Sequence, residues 1–257
     1  MAQSQSQSQN EPAGMPPLRV YAAGSLRRTL TEIAGPYEAA TGVRLMLTLG
    51  ASGLLRERIE DGEPAQVFVS ADMTHPQTLA RNGGQWQPPL LFMRNQLCAL
   101  TAPGETATTD TLLERMLSPD VKLGTSTPGS DPAGDYAWAL FRKADLIQPG
   151  AFAVLDGKAL KLTGATGAAK APAGRGTYAW LMDEGRADIF LTYRTNAMSA
   201  RQEVAGLKVV EIPAALEVSV SYGLTTRSGD AAAARFARYL LSPPAQAVFR
   251  QAGFAAP

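Results

Sequence analysis

One cysteine, Cys98, and one histidine, His75, occur in 257 residues. A single cysteine excludes an intramolecular disulfide, and with a single histidine it leaves too few ligands for a Cys/His metal site. A Ser-His-Asp arrangement would have to use His75, but nothing beside it in sequence supports one, and its place beside Pro76 in a polar stretch predicts a surface residue. No apolar run reaches the roughly 20 residues that span a bilayer. Charge is balanced, with 24 basic against 23 acidic residues and a formal net charge of +1. Neither nucleic acid nor an anionic membrane surface is therefore indicated as a partner. Walker and dinucleotide fingerprints are absent, and Gly50-Ala51-Ser52-Gly53 is not the G-x-S-x-G elbow of a hydrolase. The expectation is a chain that is not an enzyme and carries no cofactor.

What is present is an ordinary globular composition, 45% hydrophobic and 18% charged. Its length suits one large α/β domain or two lobes. Residues 1–17 are polar, with Ser-Gln repeats, and are expected to be a disordered leader. From Leu18 the chain repeats one unit: a short apolar strand, a turn of small residues, then an amphipathic helix. Tyr21-Ala22-Ala23-Gly24-Ser25-Leu26 is the first such turn, with Ser25 placed to cap the next helix. Gly50-Ala51-Ser52-Gly53 is the second, and Val67-Phe68-Val69-Ser70-Ala71-Asp72 the third. Repeated strand-turn-helix units predict βαβ crossovers and a mainly parallel sheet, with ligands bound beyond the carboxyl ends of the strands. Further strands are predicted over 96–101, 121–126, 187–193, 207–212 and 218–225. Residues 157–173, rich in Gly, Ala, Lys and Pro, predict an exposed loop.

These pieces, in this order, resemble the periplasmic molybdate-binding proteins of ABC importers, members of the two-lobed solute-binding class. The resemblance rests on the three turns above, Pro132-Ala133-Gly134-Asp135-Tyr136-Ala137, the strand Ile189 to Tyr193 with Thr195-Asn196-Ala197, and the ending Leu241-Ser242-Pro243 to Gly253-Phe254. It implies an α/β fold of two lobes, each a mainly parallel sheet flanked by helices, with two crossings between them. Lobe 1 would comprise 18–98 plus about 224–257, and lobe 2 about 99–223.

The resemblance also implies a ligand, molybdate or tungstate, held as an oxyanion in the cleft by Ser25, Ser52, Ala133, Gly174 and Tyr193, with no direct metal ligand. It implies delivery by a monomer to a membrane permease from the periplasm, an exported chain whose signal has given way to Met1. Another ligand on the same fold, sulfate, a different oxyanion or a small carboxylate, is the alternative. Ser25 and Ser52 can equally be plain helix caps, and Tyr193 a core tyrosine. Two departures stand out: Gln66 where the family has Asp, and an unusual turn over 125–131. A dianion can be held without a cation where several helix N-termini converge. Such a donor-only site would reject phosphate, whose proton needs an acceptor.

Overall fold

The computed structural model describes residues 15–257. The expected leader thus lies, through residue 14, outside the described residues. The chain begins with β1 (Leu18–Ala23), α1 (Arg27–Thr41), β2 (Leu45–Gly50), α2 (Ser52–Glu60), β3 (Val67–Ser70) and α3 (Thr74–Arg81). The long strand β4 (Leu90–Thr101) leads to α4 (Leu112–Leu117), β5 (Leu123–Ser126), α5 (Pro132–Ile147), α6 (Ala151–Lys158) and β6 (Leu160–Thr163). Then come α7 (Thr177–Asp183), β7 (Ile189–Tyr193), α8 (Arg194–Glu203), β8 (Lys208–Glu211), β9 (Ser219–Thr226), α9 (Ala231–Leu240) and α10 (Pro243–Gln251).

The strands run in the order β2-β1-β3-β9-β4-β7-β5-β6, with β8 also paired to β4. The fold is a mixed α/β, two-lobed one, and β4 is the strand both lobes share. Its first half, Leu90 to Gln96, pairs antiparallel with β9, and from Leu97 onward it pairs with β7 and β8. The change of partner falls between Gln96 and Leu97. Parallel ladders join β1 to β2 and β3, and β5 to β6 and β7. Antiparallel pairing is confined to β4 and β9 and the strands they meet.

Strand alternation separates two layers of core. Val67 and Val69 enter the large cluster with Leu30, Ile33 and Phe236, while Phe68 between them joins Tyr21, Leu55 and Trp86 on the opposite face. In the second lobe Cys98 and Leu100 pack with Leu181, Met182 and Phe190. The C-terminus locks the crossing strands: Phe254 stacks edge-on against both Tyr222 of β9 and Phe249, and Ala255 exchanges backbone hydrogen bonds with Arg94 of β4.

Three local readings are corrected. Ser25 does not cap α1; it lies in a 3-10 turn, Gly24–Leu26, and α1 starts after it without a side-chain cap. The loop predicted over 157–173 contains β6, an edge strand too short and too polar to show periodicity. His75, expected at the surface, is buried on α3, where its Nδ1 accepts from Arg56 Nε at 3.2 Å.

Candidate ligand cleft

Parallel register brings the small-residue turns together. Ala23 pairs with Gly50, and Ala22 with Val69, so the turns after β1, β2 and β3 share one edge. In the other lobe Ser126 pairs with Thr163, and β7 lies beside β5, so Thr163 and Tyr193 share the opposing edge. Between the edges lies a cavity of about 790 Å³. Its walls include Ser25, Ala51 and Ala71 from the first lobe and Asp131, Thr163 and Tyr193 from the second.

The lobes also touch directly. Gly53 N–H donates to Ser130 O at 2.9 Å, and the Tyr136 hydroxyl donates to Ala71 O at 3.2 Å. A Cβ on Gly53 would sit 2.4 Å from Gly129 O, so only glycine permits this approach.

Of the five residues expected at the ligand, Ser25, Gly174 and Tyr193 line the cavity. Ser52 and Ala133 do not. Ser52 is buried, its Oγ accepting from Ala71 N–H at 3.1 Å, so it ties α2 to the end of β3. Ala133 N–H donates to Asp131 Oδ1 at 3.2 Å, an intrachain cap of α5. The expected convergence of open helix N-termini is thus replaced in part by protein acceptors: Ser130 O on α2, Asp131 on α5 and Glu203, which accepts from Gly176 N–H before α7. Gly174 lines the cavity in a left-handed turn, φ +81°. Arg175 reaches the cleft but bonds Glu203 and Asp183, so its charge is already balanced.

Polar groups without partners belong to residues of the same wall. Tyr193 is 2% exposed, and neither its hydroxyl nor that of Thr163 has a hydrogen-bond partner among the described residues. Burial raises the Tyr193 phenol well above its ordinary pKa, so it stays a donor. Ser25 Oγ lies 2.9 Å from the Tyr222 hydroxyl, which also receives Asn95 Nδ2 at 3.3 Å. Among the described residues Asp131 is the one carboxylate on the cavity wall. Its Oδ2 accepts from Ser126 Oγ at 2.6 Å, and burial raises its pKa while the Ser126 and Ala133 hydrogen bonds oppose the rise. Gly164 makes room for it, since a Cβ there would lie 2.6 Å from Asp131 Cβ.

Residues 18–255 match the family model for bacterial extracellular solute-binding proteins. The chain belongs to that family. An uncharacterized protein, PM1146, of Pasteurella multocida is 34% identical over 83% of this chain and 88% of its own length. The molybdate-binding protein ModA of Escherichia coli is 26% identical over 92% of this chain and 88% of its own. Among solved structures, the periplasmic molybdate-binding protein of Azotobacter vinelandii superposes with a TM-score of 0.74 at 21% identity, covering 93% of this chain and 99% of that one.

Sequence reasoning passed over Asp131, Thr163 and the Asn95–Tyr222 pair. Asp131 precedes Pro132 at the first position of α5, which marks a helix cap and nothing more. Thr163 sits in the strand the composition concealed. The two sequence departures now separate. Gln66 lies away from the cavity, its Oε1 accepting from Arg19 N–H and its Nε2 donating to Asp230. The unusual turn over 125–131, by contrast, delivers Asp131 to the cavity wall.

Proposed function

We propose that this chain is an extracytoplasmic solute-binding protein that captures an oxyanion between its lobes and delivers it to the permease of an ABC importer. One observation carries the ligand class: the buried Tyr193 hydroxyl lacks a partner on a wall facing Ser25 of the other lobe. A buried donor left unsatisfied costs about 1–3 kcal/mol, and an oxyanion supplies the acceptor. Molybdate is favoured by the sequence resemblance and by the names of two relatives, and tungstate by the resemblance alone. The protein would act as a monomer in the periplasm, with no resident cofactor.

A second reading, an organic anion with a phosphoryl or carboxyl head, is favoured by the cavity. At about 790 Å³ it falls in the range of sites for small organic molecules and far exceeds one tetrahedral ion. The test is thermal shift with molybdate, tungstate, sulfate, phosphate, glycerol phosphate and small carboxylates. A ligand at 100 times its Kd adds about 2.7 kcal/mol of stability. A melting temperature unmoved by every member of the panel would refute the oxyanion reading.

A further inference from the structure

The cleft holds an acceptor where a site for a bare dianion needs only donors. Asp131 reaches the cavity wall from the residue before α5, a helix of 16 residues. Both its carboxylate oxygens are already receiving hydrogen bonds, Oδ1 from Ala133 N–H and Oδ2 from Ser126 Oγ. Each oxygen retains lone-pair capacity beyond the bond it accepts. No salt bridge to Asp131 exists among the described residues, so the carboxylate is unneutralised by any cation at contact distance. The same wall carries the unpartnered hydroxyls of Thr163 and Tyr193, both on buried residues. The wall therefore combines two unused hydroxyls with one carboxylate, while Arg27 and Lys170 line the same cavity and attract any anion, protonated or not.

A fully deprotonated dianion satisfies the hydroxyls but meets Asp131 as a like charge, with no proton to share between oxygens. An anion bearing its own O–H satisfies both sets. Its unprotonated oxygens would accept from Tyr193 and Thr163, and its O–H would donate to Asp131. We propose that Asp131 is a specificity-determining residue of the cleft. It favours an oxyanion that carries a proton or an adjacent hydroxyl over fully deprotonated molybdate, tungstate or sulfate. This rests on the oxyanion-capture reading and narrows it.

The experiment is titration calorimetry at pH 7 on the wild type and Asp131→Asn with inorganic phosphate, glycerol phosphate, molybdate, tungstate and sulfate. Asn keeps a side-chain oxygen for the α5 cap while replacing the carboxylate by a neutral amide that can donate. The wild type should bind phosphate or glycerol phosphate more tightly than the three deprotonated ions. In Asp131→Asn the ratio of affinities should move toward molybdate by about tenfold or more, the scale of one mismatched buried hydrogen bond. Phosphate with glycerol phosphate distinguishes a free ion from an esterified head group. A wild type that prefers molybdate, or a ratio unchanged in the variant, overturns the proposal. If Asp131→Asn does not fold, Asp131→Ser replaces it, and the wild-type order of affinities still decides. Absence of binding by every oxyanion refutes the capture reading itself and this proposal with it.

Discussion

The hydroxyls of Ser25 and Tyr222 lie 2.9 Å apart, joining the turn behind β1 to the crossing strand β9. Asn95 of β4 donates to Tyr222 at 3.3 Å and to Thr195 Oγ1 at 3.0 Å, so both crossing strands and the start of α8 share one polar chain. Tyr222 receives the Asn95 N–H, and where its own proton goes to Ser25 Oγ the Ser25 proton is free for a ligand. Tyr222→Phe breaks this relay. It should weaken ligand binding several-fold and lower stability by about 1 kcal/mol, the ordinary net worth of one hydrogen bond. Calorimetry and denaturant unfolding check the two effects, and unchanged affinity would remove Tyr222 from the site.

Tyr193 gives the opposite signature. Its hydroxyl is buried without a partner, so Tyr193→Phe removes a group that disfavours the free protein. The melting temperature of the ligand-free variant should equal or exceed that of the wild type, while ligand affinity falls. A variant that is destabilised without ligand would show that the hydroxyl is already satisfied and is not a free donor to a ligand.

Closure is tested at Gly53. Its N–H bonds Ser130 O across the lobes, and any Cβ would press on Gly129 O. Gly53→Val should hold the lobes apart, raising the radius of gyration in solution scattering and reducing affinity, with the helix content unchanged by circular dichroism. A variant as compact as the wild type would mean that the lobes meet elsewhere.

The fold was largely legible because its signals are local. Apolar runs such as Val67-Phe68-Val69 between small-residue turns mark strands whatever lies around them. Parallel register then forces the turns onto one edge. The site was less legible because it depends on what each donor already bonds. Ser52 carries a good motif, yet its oxygen serves Ala71. Ala133 offers a helix N-terminus, yet Asp131 occupies it. Asp131 itself reads as a cap in sequence, and only the close approach at Gly164 and the pairing of β5 with β6 put it on the cavity wall. Burial of His75 was hidden for the same reason, since its partner Arg56 is 19 residues away.

Asp131 also sets a pH dependence. Burial, the largest influence, raises its pKa above the ordinary carboxylate value. The folded state therefore holds this proton more tightly than the unfolded chain. That contribution to stability is complete below about pH 4, the unfolded value, and is lost as pH rises through the raised folded value. The melting temperature of Asp131→Asn, relative to wild type, should rise across that interval. Parallel pH profiles would show that the carboxyl titrates normally.

In the proposed binding mode an oxyanion is held between Ser25 of one lobe and Tyr193 of the other. Titration calorimetry of the wild type and a Ser25→Ala/Tyr193→Phe double variant against the oxyanion panel tests it most directly. The wild type should bind at least one oxyanion one-to-one, and the folded double variant should bind it at least about 100-fold more weakly. Equal affinity in the two proteins, or no oxyanion bound by the wild type, would contradict it.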